Sequence, residues 1–231
     1  MTTRTIYVTG TDTDAGKTWV TTECLKALST AGIKAVGMKP IASGCEMTSE
    51  GLRNDDAMKL MAASSIKLPY ELINPVALNE PTAPEIAAQH DGVQISLTPL
   101  LSAVTQVQSR ADIVLVEGVG GWLAPLSDEL DQANLVRALN CPVILVVGLK
   151  LGCINHARLT ERALKDDGAQ CVGWIVANVD QNLLFAEEYF EALRRHMQTP
   201  FLGRVFAEKP AQLDGFVGAI NESPLRDYFP L

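Results

Sequence analysis

Gly10-Thr11-Asp12-Thr13-Asp14-Ala15-Gly16-Lys17-Thr18 is the stretch on which the fold turns. It follows the apolar, β-branched run Thr5 to Thr9 and leads into a helical pattern over Thr18 to Ala31, where Val20, Cys24, Leu25 and Leu28 share one face. Strand, glycine turn and helix in that order make a phosphate-binding loop. Successive backbone N–H groups and the helix start face phosphate oxygens, the lysine neutralises them, and the hydroxyl after it reaches a magnesium ion. Asp14, Ala15, Gly16, Lys17 and Thr18 are thereby set against a nucleotide's phosphates. Five residues separate Gly10 from Gly16, so the first position of the strict G-x-x-x-x-G-K-[ST] pattern falls on Thr11. The alternative is a plain glycine turn before a helix, which the flanking strand and helix disfavour.

Outward from this loop, apolar runs recur at Ala35 to Lys39, Ile113 to Glu117, Val143 to Gly148 and Val172 to Asn178. Helical patterns lie between and after them at Arg53 to Ala63, Leu97 to Ser109, Leu130 to Leu139, Asn155 to Lys165 and Leu183 to Met197. Such alternation predicts an α/β protein of P-loop type, a mostly parallel β-sheet with helices on both faces. No repeat, low-complexity tract or linker divides the chain, so residues 1–231 are expected to form a single domain. Phe206 to Leu231, with glycine and proline scattered through it, yields no clear pattern.

Composition narrows the function. Of 231 residues, 47% are hydrophobic and 20% charged, which excludes disordered and fibrous classes. Nineteen basic against 27 acidic side chains leave a net charge of -8, unfavourable for nucleic acid yet compatible with a local site for a small anion. The five cysteines (Cys24, Cys45, Cys141, Cys153, Cys171) are far apart and never in C-x-x-C spacing, as expected for reduced thiols in the cytoplasm rather than a disulfide framework or structural zinc. Met1 to Tyr7 does not read as a signal peptide, and no stretch approaches the roughly 18 apolar residues of a membrane span.

Chemistry-bearing residues cluster at strand ends. Ile113 to Glu117 is a buried-strand pattern closed by a carboxylate, and the following Gly118-Val119-Gly120-Gly121 lets backbone approach a ligand closely. Lys39 ends another run, just before Pro40 and Ser43-Gly44. Ligands of open α/β sheets bind outside the carboxyl ends of the strands, so Gly10, Lys39 and Glu117 point to one edge. A surface lysine remains open for Lys39, and an acidic residue in a functionless turn for Glu117. Asp55 and Asp56 read from spacing alone as complements to a helix dipole, worth about 0.3–1 kcal/mol.

With these residues in hand, the sequence resembles the dethiobiotin synthetase family. The matching stretches, besides Gly10 to Thr18, are Gly37 to Gly44, Glu50 to Asp56, Asn74-Pro75, Glu80 to Pro84, Val116 to Trp122, Pro142 to His156 and Gly173 to Asn178, in the family's order from residue 5 to about 205. The resemblance implies closure of a cyclic urea on 7,8-diaminononanoate with carbon dioxide (CO2) and ATP. One amine becomes a carbamate, ATP converts it to a carbamic-phosphoric anhydride, and the second amine expels phosphate. It implies that Thr13, Lys17, Lys39 and Ser43 line the reacting end, that Thr18, Asp56 and Glu117 hold Mg2+, and that Asn178 contacts adenine. An asparagine amide offers both a donor and an acceptor to that base, although an asparagine closing a strand is otherwise an ordinary turn residue. Two positions depart from the family's pattern: Glu85, where histidine is frequent, and Phe206, where proline is frequent.

The resemblance also implies a homodimer. Lys150 to His156 follows a strand with a glycine turn and a helical pattern, and free N–H groups at a helix start suit the carboxylate at the end of the substrate's chain. In the family that turn comes from the partner subunit, so Leu151, Gly152, Cys153 and Asn155 are expected, with Gly120, to bind substrate across a twofold interface. An ordinary helix start with a buried Cys153 thiol and a capping Asn155 is the other reading. The functional alternative is a P-loop switch or partitioning ATPase of the same fold. Thr11 to Ala15 holds no additional lysine, and Arg226 to Leu231 is short and not basic, both against that alternative. The region Ala177-Asn178-Val179-Asp180 is no guanine motif, and no second domain supplies ammonia for an amide ligase.

Overall fold

The computed structural model describes residues 4–222. In chain order it contains β1 (Arg4–Gly10), α1 (Lys17–Thr30), β2 (Ala35–Met38), β3 (Ile41–Ala42), β4 (Glu46–Thr48), β5 (Gly51–Arg53) and α2 (Asp55–Ala63). There follow α3 (Tyr70–Ile73), β6 (Val76–Ala77), α4 (Pro84–Asp91), α5 (Leu97–Gln108), β7 (Ile113–Glu117), α6 (Gln132–Leu139) and β8 (Val143–Gly148). The chain then forms α7 (Cys153–Asp166), β9 (Cys171–Ala177), α8 (Ala186–His196), β10 (Phe201–Val205) and α9 (Asp214–Glu222). Six of the strands build one parallel sheet in the order β10-β9-β8-β1-β7-β2.

Each apolar strand serves two cores because its side chains alternate. In β7, Ile113 and Leu115 enter a cluster with Val20, Leu25 and Leu28 of α1, while Val114 and Val116 enter the opposite cluster with Leu100 and Val104 of α5. All five β7 residues are buried, which explains why the run reads as continuously hydrophobic instead of alternating. Helices therefore cover both faces, as expected. Register then sets the functional edge: Val8 lies beside Glu117, Met38 beside Val116, Gly10 beside Val146, and Gly148 beside Ala177. The carboxyl ends of β1, β2, β7, β8 and β9 thus form one rim.

Several elements went unread in the sequence. β10 has only five residues and a glycine at its centre, and it pairs with β9 through a register shift between Phe201 and Gly203. The β4–β5 hairpin and the β3–β6 pair are two or three residues per strand, too short to show periodicity. α7 begins at Cys153 rather than at Asn155, because Gly152, at φ 90°, makes the turn. Asn155 consequently lies within the helix and caps nothing. Of the unpatterned Phe206 to Leu231 stretch, Asp214–Glu222 is helical, and residues 223–231 lie outside the described residues.

The phosphate loop is seated by close backbone approach. A Cβ added at Gly148 would stand 2.9 Å from Ala15 Cα, and one at Gly16, whose φ is +87°, 2.7 Å from Ala177 Cβ. Gly148→Ala should therefore push the loop off the sheet, costing about 1–3 kcal/mol, or roughly 2–4 °C of melting midpoint per kcal/mol for a chain of this size. Gly218→Ala, in α9 with nothing within 4 Å of an added Cβ, should be neutral or stabilise by up to about 1 kcal/mol. Scanning calorimetry of both variants checks the contrast.

Candidate active site

The phosphate loop presents the start of α1 to the rim. Gly16 caps α1 in a left-handed conformation with no side-chain cap, and no acidic residue stands in the first turn. The first-turn N–H groups and the positive end of a 14-residue helix are left for an anion. Lys17 opens the helix, is only 7% exposed, and donates from Nζ to the Asp12 carbonyl at 2.9 Å. Burial and the neighbouring Lys39 charge pull its pKa down to about 8. Asp12 is tied in turn to Lys150 at 3.1 Å, and burial notwithstanding, that lysine holds the Asp12 carboxyl below its usual range.

Beside the loop sits a buried charge cluster. Glu117, 1% exposed, accepts through Oε1 from the Lys39 ammonium and from the Thr18 hydroxyl, both at 2.7 Å. Its other oxygen, Oε2, is buried without a hydrogen-bond partner among the described residues. Lys39 also meets Asp56 Oδ2 at 3.1 Å. Burial by itself would lower the Lys39 pKa, yet the Glu117 and Asp56 carboxylates hold it above the ordinary lysine value. Burial likewise works against the Asp56 charge, but Lys39 and the Thr18 hydroxyl keep that carboxyl below its usual range. Asp55 turns outward to Lys59 at 2.6 Å, so the two adjacent aspartates part ways.

A polar relay invisible in the sequence fixes Lys39 and Asp56 relative to each other. Asn54 caps α2, accepting at Oδ1 from the Ala57 N–H at 3.2 Å, and so places Asp56 in the first turn. The Asn54 backbone N–H donates to the Tyr70 hydroxyl at 2.7 Å, which donates to Asn74 Oδ1 at 2.8 Å. Asn74 Nδ2 then donates to the Lys39 carbonyl at 2.8 Å. A cap signal at Asn54, just before the Asp55 to Ala63 helix, was the one member readable from local pattern.

Lys39, Asn54 and Asp56 border a cavity of about 820 Å³, which Glu117 itself does not line. Thr13, Asp14, Gly16, Lys17, Thr18, Lys39, Ser43, Asp56 and Gly120 all line it, joined by Trp19, Asn54 and Pro81–Pro84. Ala15 is fully buried behind the loop. Asn178 lies off this cavity, with its Oδ1 taken by Arg204 Nε at 2.7 Å. Arg204 also bonds Glu187 at 2.9 Å and lies 4.6 Å from the Phe190 ring and 4.8 Å from the Phe206 ring. Glu85 lines a separate cavity of about 620 Å³, facing Asp128, whose carboxyl raises its pKa. Leu151, Gly152, Cys153 and Asn155 do not line the 820 Å³ cavity of their own chain; Leu151 is 77% exposed and Cys153 is buried.

A parallel sheet with a phosphate loop at the end of its central strand, and a lysine and two carboxylates converging beside it, defines a P-loop nucleotide-binding protein. A family described as an AAA domain matches residues 4–211. The ATP-dependent dethiobiotin synthetase BioD of Xanthomonas oryzae pv. oryzae strain PXO99A is 54% identical over 213 residues, 90% of this chain and 95% of that one. The enzymes of the same name from Xanthomonas axonopodis pv. citri strain 306 (54%, 86% and 89% of the two chains) and Xanthomonas campestris pv. campestris strain 8004 (50%, 93% and 96%) are similar as well. The chain belongs to the dethiobiotin synthetase family.

The Lys17 environment makes a stability prediction with a definite sign. An amine whose pKa falls from 10.5 to about 8 on folding binds its proton less well in the folded state. Between those pH values the unfolded chain holds more protons, so folding stability rises with pH there, and the penalty is fully present below about pH 8. Lys17→Met, without nucleotide and in EDTA, should melt higher than the parent at pH 7, with the gap closing from pH 8 towards 10.5. A variant melting no higher at pH 7 would contradict the buried-charge reading.

Proposed function

We infer that this protein is a dethiobiotin synthetase, an ATP-dependent cyclo-ligase, and that ring closure takes place in the cavity between the phosphate loop and Lys39. The observation that carries the assignment of the site is the convergence of two buried ammonium groups, Lys17 and Lys39, on a cavity of about 820 Å³. Bringing a carbamate against a triphosphate joins two anions, and preorganised cations in a water-poor site are how that repulsion is overcome.

Carbon dioxide first bonds to one amine of 7,8-diaminononanoate, which loses a proton to give the carbamate. A carbamate oxygen then bonds to the γ-phosphorus while the bond to the ADP oxygen breaks. The second amine attacks the carbamic-phosphoric carbonyl, phosphate leaves with the bonding electron pair, and the cyclic urea is closed. In this reading Lys17 follows the transferred phosphoryl group, and Lys39, charged at neutral pH, neutralises the carbamate end. Thr13, Ser43 and Gly120 orient the diamine. Asn178 contacts adenine through the part of its amide that Arg204 does not engage.

The donor set beside them suits Mg2+. Thr18, Asp56 and Glu117 offer only oxygen, as a hard cation requires, and the buried, unpartnered Glu117 Oε2 is a lone pair in want of a cation. Bound there, Mg2+ would supply charge neutralisation for the β- and γ-phosphates. A homodimer completes the proposal: the exposed Leu151 to Asn155 turn, which misses its own cavity, would receive the substrate carboxylate of the partner subunit's site. The same reading makes this a cytoplasmic enzyme whose partners are small molecules; among the described residues no helix is long and apolar enough to cross a membrane.

Phosphate release from ATP should require both the diamine and bicarbonate; a chain that hydrolyses ATP equally without them is a switch ATPase instead. Lys39→Ala should lower kcat by about 10²–10³, the usual loss for one preorganised electrostatic donor. Glu117→Gln should shift the magnesium titration to higher concentration, while Asp55→Asn leaves it in place. For the dimer, mixing a Gly152→Trp subunit with a Lys17→Ala subunit should restore part of the activity each lacks alone, through one intact composite site. Absence of any restoration in a confirmed heterodimer would refute the shared site.

A further inference from the structure

One wall of the cavity belongs to the loop from Gly118 to Trp122, of which Val119, Gly120 and Gly121 line the cavity. Besides backbone bonds from Gly118 to Val8 and from the Ala124 N–H to the Gly121 carbonyl at 3.0 Å, this loop is held by the Gln132 side chain. Gln132, fully buried, donates from Nε2 to the Val119 carbonyl at 3.0 Å, to the Gly121 carbonyl, and at 3.4 Å to that of Trp122. Its own oxygen accepts from the Tyr7 hydroxyl at 2.8 Å, so the amide has a single orientation. Gln132 is the first residue of α6, whose start is locked by a reciprocal capping box between Asp131 and Asn134. Room for the arrangement exists because residue 118 is glycine: a Cβ there would run into Gln132 Oε1 and stand 2.7 Å from the Tyr7 hydroxyl.

We propose that Gln132 is a positioning residue for ring closure: it holds the Val119 carbonyl oxygen away from the anionic cavity, reinforces the Ala124 N–H on the Gly121 carbonyl, and so shapes the wall against which the diamine end of the substrate lies. A peptide carbonyl turned into the cavity would add partial negative charge beside the carbamate and triphosphate. Buried carbonyls without a donor seek water, and here the accessible solvent is in the cavity. The loop abuts the early part of the phosphate loop: a Cβ at Gly121 would lie 3.4 Å from the Thr11 carbonyl, and one at Gly120 would lie 3.8 Å from Thr13 Oγ1. Its effect therefore falls on the diamine side and spares the nucleotide side. The inference rests on the reading of this cavity as the diamine–carbamate site.

The test is steady-state kinetics of the full-length enzyme with 7,8-diaminononanoate, bicarbonate and ATP, beside melting curves, for Gln132→Leu, Tyr7→Phe and the double variant. Gln132→Leu should lower kcat/KM for the diamine about tenfold or more, with KM for ATP within about twofold of the parent. Tyr7→Phe, which only frees the Gln132 amide to turn, should shift the same parameter less, and the double variant should be no worse than Gln132→Leu alone. A purely structural role predicts a lower melting midpoint with unchanged constants per folded enzyme, or equal shifts for both substrates, and either result overturns the proposal. If Gln132→Leu does not fold, Tyr7→Phe decides, and diamine constants identical to the parent overturn it. A parent enzyme without diamine-dependent phosphate release would instead overturn the functional reading itself.

Discussion

Glu117 is a carboxylate buried at the end of the strand next to the sheet's centre, and that unfavourable placement organises what surrounds it. An isolated buried charge costs several kcal/mol, so it persists only with close, well-directed partners. Lys39 from the end of β2 and Thr18 from α1 both supply them at 2.7 Å, on the same oxygen. The end of β2 and the start of α1 are thus referred to one atom, and the first turn of α2 joins them through Asp56 on the Lys39 ammonium at 3.1 Å. The second oxygen is buried without a hydrogen-bond partner among the described residues, which is what supports the proposed cation there.

The two lysines that line the cavity are consequently unlike each other. Lys39 has two carboxylates to offset its burial and stays firmly charged. Lys17 has a peptide carbonyl, burial and a neighbouring cation, and its pKa falls to about 8. The loop lysine is therefore held charged at a cost, which an anion beside it would relieve, as the proposed function requires. Such stored electrostatic strain is usual at functional sites and is balanced elsewhere, here by two apolar cores packed on either face of the sheet.

Legibility in the sequence followed distance along the chain. The phosphate loop, the five apolar strands and the rim positions of Lys39 and Glu117 were readable because each rests on a contiguous pattern. Asp56 was not separable from Asp55 by spacing, since only the fold shows that one faces Lys39 and the other Lys59. The Asn54–Tyr70–Asn74 relay and the Tyr7–Gln132 bond, 125 residues apart, join positions with no local signal in common. Asn178 follows the last residue of β9, a position its strand pattern marks, but its partner Arg204 sits in β10, a short strand with a central glycine and no clear pattern of its own.

In the proposed function one cavity sets a carbamate oxygen against the γ-phosphorus. The most direct measurement follows that oxygen: bicarbonate enriched in 18O is turned over with ATP and 7,8-diaminononanoate, and the released phosphate and the dethiobiotin are analysed by mass spectrometry. Phosphate that carries an 18O atom from bicarbonate is the predicted result, because the oxygen that bonds to phosphorus departs with it when the second amine closes the ring. Phosphate free of label, formed alongside dethiobiotin whose urea carbonyl is labelled, would contradict the account.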